Sequence, residues 1–85
     1  MSDTKDKIVK VCDNIKELLV EKNTAYGDSA INPVRVFSKS SAEEQLLVRI
    51  DDKISRITRG DQLGEDVIND LIGYLVLLKI AREEI

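Results

Sequence analysis

Glu65 to Glu84, EDVINDLIGYLVLLKIAREE, is the stretch that decides the fold. Its apolar positions Val67, Ile68, Leu71, Ile72, Tyr74, Leu75, Leu77, Leu78, Ile80 and Ala81 recur at helical spacing without strand-like alternation, so the segment reads as one helix. The stripe is wider than one packing partner needs. Positions 68, 71, 75 and 78 lie on one side of the helix, while 74, 77, 81 and 85 run round to another. The first face predicts an all-α bundle within the chain, and the surplus face predicts a subunit contact.

Upstream, Ser41-Ala-Glu-Glu44 has the form of a capping box, with a hydroxyl at the cap and a carboxylate three residues on. It opens a second helix whose apolar face is Leu46, Leu47, Ile50, Ile54 and Ile57 and which stops at Gly60; Asp61 to Gly64 is a short turn. Further back, Ile8, Val11, Cys12, Ile15, Leu18 and Leu19 follow the i, i+3, i+4, i+7 pattern of a one-sided helix over Lys5 to Glu21. Asp3 or Thr4 is its expected cap, and Lys22 or Asn23 its expected end. The fold expected is a three-helix bundle with a long connection between helices one and two, forming one domain over residues 1–85 and completed by oligomerisation.

Length and charge support that picture. At 85 residues a core built from one copy is only marginally stable, which again favours self-association. The lone Cys12 excludes an internal disulfide, and its place on the apolar stripe predicts a buried thiol; with no histidine in the chain, His-activated catalysis and His metal sites are excluded. There is no signal peptide and no apolar run approaching the ~20 residues that span a bilayer, so the expected location is the cytoplasm, with no membrane partner. A net charge of -3 argues against a long nucleic acid as partner but leaves room for a small phosphorylated ligand.

Between the first two helices lies Lys22 to Phe37, KNTAYGDSAINPVRVF, which holds the only proline and the only phenylalanine. Asn32-Pro33 marks abandoned helix, since the residue before proline is pushed towards extended backbone. Val34-Arg-Val-Phe37 has the character of a brief extended stretch. Connections this long inside a small domain are uncommon and are usually either functional or disordered; with an aromatic, a tight-turn Gly-Asp pair and a Pro anchor, this one reads as an ordered binding loop. Within it Tyr26 offers a ring that can stack on a base or plug the core, Gly27 lets the backbone turn, and Asp28 can bond backbone amides or a sugar hydroxyl. Lys22, Arg35 and Lys39 sit in or beside the loop, where a scaffold exposes binding groups.

Two charged groups lie on the helices. Asp66 and Asp70 stand one turn apart, and Asp51 sits at the edge of the second helix's apolar stripe, a set that could hold a hard cation such as Mg2+ through oxygen. Against this, acidic residues in a first helical turn are favoured by the helix dipole alone. Arg49, Lys53 and Arg56 fall on one side of the second helix and could meet phosphate oxygens; Asp52 lies within a turn of Arg49 and Arg56 and could simply pair with them.

These residues carry a resemblance. Lys22-Asn-x-x-Tyr-Gly-Asp28, Arg49-Ile-Asp-Asp-Lys-Ile-Ser-Arg-Ile57 and Glu65-Asp-Val-Ile-Asn-Asp-Leu-Ile-Gly-Tyr74 resemble the phage-borne nucleotide-modification-associated helical domain. That group is similar to the MazG-like all-α nucleoside triphosphate pyrophosphohydrolases. The resemblance spans roughly residues 8 to 81. It implies a nucleotide ligand met by Lys22, Asn23, Tyr26, Gly27, Asp28, Arg35, Arg49, Lys53 and Arg56, with Asp66 and Asp70 at metal positions and Asp51 beside them. The chain departs from the pyrophosphohydrolases in helix two, where they carry glutamates at E-x-x-E spacing. This chain has Glu43-Glu44-Gln45 and then Arg49, Asp51 and Lys53. Anhydride hydrolysis needs enough carboxylates to hold Mg2+ and orient a water, and this acidic set is thin while the basic set is enlarged. The expected function is therefore a non-catalytic phage-type nucleotide-binding protein, a sponge that sequesters a nucleotide immune signal. The alternatives are an Mg-dependent pyrophosphohydrolase and a structural helical adaptor.

Overall fold

A computed structural model of the chain describes residues 3–32, 39–60 and 66–83, and these hold three helices and no strand. They are α1 (Asp3–Tyr26), α2 (Ala42–Arg59) and α3 (Val67–Ala81). The all-α expectation holds. The expected turn at 61–64, Glu65 and Glu84 at the ends of the third helix, and the Val34–Phe37 stretch lie outside the described residues.

The boundaries of α2 follow from single-residue chemistry. Ser41 has extended backbone and its hydroxyl accepts from the Glu44 amide, as the capping pattern requires. At the other end Gly60 adopts a left-handed φ of 72°, and its N–H returns to the Arg56 and Ile57 carbonyls. α3 begins after Asp66, whose carboxylate accepts from both the amide and the side-chain nitrogen of Asn69.

α2 and α3 form an antiparallel hairpin whose register can be followed from one end to the other. Arg82 meets Glu43 at 3.4 Å, Leu78 packs with Leu46 and Ile50, and Asp70 meets Lys53 at 3.3 Å. Leu46, Ile50 and Leu78 are the buried cluster, with Ala30, Ile31, Leu71, Tyr74, Leu77 and Ala81 packed around it. Leu46 is only 1% exposed, so the core is well closed where it exists, but among the described residues it is small.

α1 differs from the expectation at both ends and in its burial. It starts at Asp3, with Asp3 and Thr4 inside the helix, and runs through Tyr26, several residues past the predicted end. The apolar stripe does stop at Leu19–Val20, but Lys22, Asn23, Thr24 and Ala25 are all compatible with helix, and the break comes only at Gly27 with φ 69°. The connection therefore begins at Gly27 and not at Lys22. Its first part, Gly27 to Asn32, is a turn in which the Ile31 and Asn32 amides donate to the Asp28 carbonyl.

No residue of α1 is buried. The helix runs antiparallel to α3 and touches it where Leu19 meets Gly73 and Lys22 meets Asp70. A Cβ on Gly73 would lie 2.8 Å from Leu19 Cδ2, so the glycine sets the closeness of this crossing. Towards its N-terminus α1 leaves an open apolar groove of about 630 Å³, walled by Cys12, Ile15 and Leu19 on one side and Ile72, Val76 and Ile80 on the other. The predicted burial of Cys12 is thus corrected: the thiol is exposed, because no element among the described residues covers that part of the stripe. The Cα radius of gyration, 14.6 Å, reflects this openness; about 12 Å is usual for a compact domain of this length.

Candidate ligand-binding site

Where α1 ends, its last turn, the following turn and α3 enclose a cavity of about 240 Å³ with Arg49 of α2 at its edge. Local chemistry builds the rim. The Gly27 amide returns to the Asn23 carbonyl at 2.7 Å, ending α1, while the Asn23 side chain donates to the Gly27 carbonyl at 3.2 Å and to Asp28 Oδ1 at 2.9 Å. One asparagine therefore ties the last turn of α1 to the residues after it. Ala30 and Ile31 then pack onto the core, which fixes the turn to the hairpin.

Of the residues singled out in the sequence, Lys22, Asn23, Tyr26, Gly27, Asp28, Arg49 and Asp70 all line this cavity. Lys53 stands behind Asp70, its side chain only 10% exposed. Arg56 pairs along its own helix with Asp52 at 3.1 Å, the solvated ladder that the spacing allowed. Asp51 is exposed on α2 and does not line the cavity. Arg35 lies outside the described residues.

The three acidic residues do not assemble. Asp66 uses both carboxylate oxygens on Asn69, and Asp70 uses one on Lys22 and one on Lys53. Among the described residues no three His, Cys, Asp or Glu side chains gather closely enough to hold a metal. The donor set as folded does not fit a preformed magnesium site.

Tyr74 and Asn69 are among the lining residues that escaped sequence reasoning. Tyr74 reads as one more member of the apolar stripe, yet it is half-buried at the cavity wall with the Arg49 guanidinium over its ring, 5.8 Å from the centroid. Asn69 reads only as a polar gap in that stripe. Tyr26, by contrast, is 74% exposed, which disposes of the core-plug alternative for its ring. The site thus offers two phenol rings, one guanidinium, one ammonium and two amide side chains, with Asp28 and Asp70 as its acids. Aromatic faces suit a base, the cations suit phosphate, and the amides suit hydrogen bonding to ring edges or sugar.

Comparison of the chain with protein-family models, curated proteins and solved structures finds no match. Among the described residues no helix is long and apolar enough to cross a membrane.

Proposed function

We propose that this chain is a phage-type protein that holds a nucleotide or nucleotide-derived signal without cleaving it, acting as a sponge. The observation that supports this reading is one cavity that collects the motif residues Lys22, Asn23, Tyr26, Gly27 and Asp28 together with Arg49 and Asp70 from the other two helices. Residues so far apart in sequence converge there with the chemistry a phosphorylated, aromatic ligand needs. Its volume of about 240 Å³ is small beside the ~300–1,000 Å³ of drug-sized ligand sites, which suits part of a nucleotide with the remainder on the open side.

The absence of cleavage in this reading follows from how the acids are used. Phosphoanhydride hydrolysis needs carboxylates available to a metal and a water. Here Asp66 caps a helix and Asp70 neutralises lysines. Any magnesium ion arrives with the ligand's own phosphates. Self-association belongs to the same proposal: Ile8, Val9, Val11 and Val20 of α1 and Ile68, Leu75 and Ile80 of α3 are exposed in the single chain. Water-exposed apolar surface on that scale is characteristic of an interaction face.

Incubation with a nucleotide panel and magnesium tests this, with melting and chromatography as readouts. A bound ligand at ~100 times its Kd raises stability by about 2.7 kcal/mol, and it should be recovered intact. Release of pyrophosphate would move the chain to the hydrolase reading, and no melting shift with any nucleotide would leave a structural adaptor.

A further inference from the structure

Asp70 is one carboxylate between two ammoniums, with Oδ1 3.4 Å from Lys22 Nζ and Oδ2 3.3 Å from Lys53 Nζ. Both contacts are longer than the ~2.7–2.9 Å of a tight charge-assisted bond, so the carboxylate is shared and locked to neither. The two lysines differ in what they can give up. Lys53 is buried on α2, and an ammonium there needs a compensating anion nearby. Lys22 has a side chain 47% exposed and lines the cavity, so water already solvates much of it and its pairing with Asp70 is weak.

We propose that Lys22 is a transferable cation: without ligand it rests on Asp70, and it swings to the phosphate of an entering ligand while Lys53 keeps Asp70 neutralised. The proposal rests on the phosphorylated-ligand reading of the cavity and adds a role for Asp70 within it. Asp70 is the internal competitor for Lys22 and so lowers the affinity of the site for anions. The buried partner makes the exchange possible, because Lys22 can leave without stranding a carboxylate. Arg49, also at the cavity and on the same helix as Lys53, is the second cation that the phosphate can reach.

The test uses inorganic pyrophosphate as probe. In protein labelled with 13C-lysine, the Cε resonance of Lys22, assigned through Lys22→Met, should move on titration, while that of Lys53 stays close to its starting position. Asp70→Asn should tighten pyrophosphate binding by about tenfold, the order expected for removing one like charge several ångströms away at a partly solvated site. Lys53→Met should weaken it, with Lys22 then held by Asp70 alone of the pair. Circular dichroism checks that each variant folds; should Asp70→Asn not fold, the resonance and Lys53→Met decide. An unmoved Lys22 resonance, no pyrophosphate binding, or a folded Asp70→Asn that binds no more tightly overturns the hand-over. A nucleotide panel that fails to shift melting while pyrophosphate still captures Lys22 would instead sink the nucleotide reading and leave the hand-over standing.

Discussion

Tyr26→Ala separates a binding ring from a packing ring. With the residue 74% exposed, roughly a quarter of its surface is covered. For a side chain of about 200 Å² that is about 50 Å², which at ~25 cal/mol/Å² contributes about 1 kcal/mol to folding. A fully buried aromatic truncated to alanine would cost ~3–5 kcal/mol. If the ring stacks on a base, its removal should cost ~1–3 kcal/mol of binding, roughly ten- to a hundredfold in Kd. Calorimetry with the nucleotide that most raises the melting temperature, and melting of the free variant, are run on one preparation. The expected result is a melting point close to the parent's and a weakened Kd. A variant that melts far earlier yet binds as tightly as the parent would refute both the burial estimate and the place of the ring in the site.

Other substitutions probe the frame. Gly73→Ala should leave folding stability within about 1 kcal/mol of the parent by chemical denaturation, since the helix-propensity gain of about 1 kcal/mol offsets moving the Leu19 side chain that the new Cβ meets at 2.8 Å. Ser41→Ala should lose about 1 kcal/mol with the hydroxyl bond to the Glu44 amide, read in the same experiment. Gly60→Ala should lose about 1 kcal/mol or more, because φ 72° is strained for a residue with a Cβ. Paired Ile8→Asp and Val11→Asp changes, on a helix with nothing buried, should lower the mass seen in light scattering while helicity persists; a monomeric parent at micromolar concentration would contradict the self-association proposal.

What was legible in the sequence was whatever depends on one residue's chemistry. Ser41 and Gly60 mark the limits of α2 because an N-cap hydroxyl and a left-handed glycine have few other uses. The end of α1 was not legible from periodicity, because the apolar stripe and the helix end at different places: the stripe reports packing and Gly27 reports backbone. The assumption that a stripe is covered within its own chain misplaced Cys12, whose side of α1 faces an open groove. At the site, the Tyr-Gly-Asp segment drew attention through its chemistry. Tyr74 stayed hidden because an aromatic within an apolar run looks the same whether it faces core or cavity. The acidic set was ambiguous in principle, since a carboxylate at a helix start serves a cap or a cation equally well, and only the Asn69 contacts separate the two for Asp66.

The shallow seating of α1 has a consequence for how the chain opens. Amide protection follows buried contact, so the hairpin of α2 and α3 and the N-terminal two-thirds of α1 belong to different foldons. Hydrogen exchange in an isolated chain should run fast from Asp3 to about Lys16 and slow around Leu46, Ile50 and Leu78. The Gly27–Asn32 turn lies between these regimes, anchored to the slow unit through Ala30 and Ile31. Fraying that begins at the far end of α1 therefore meets the cavity only at Leu19 and Lys22, so the helix can unwind over much of its length while the site stays assembled.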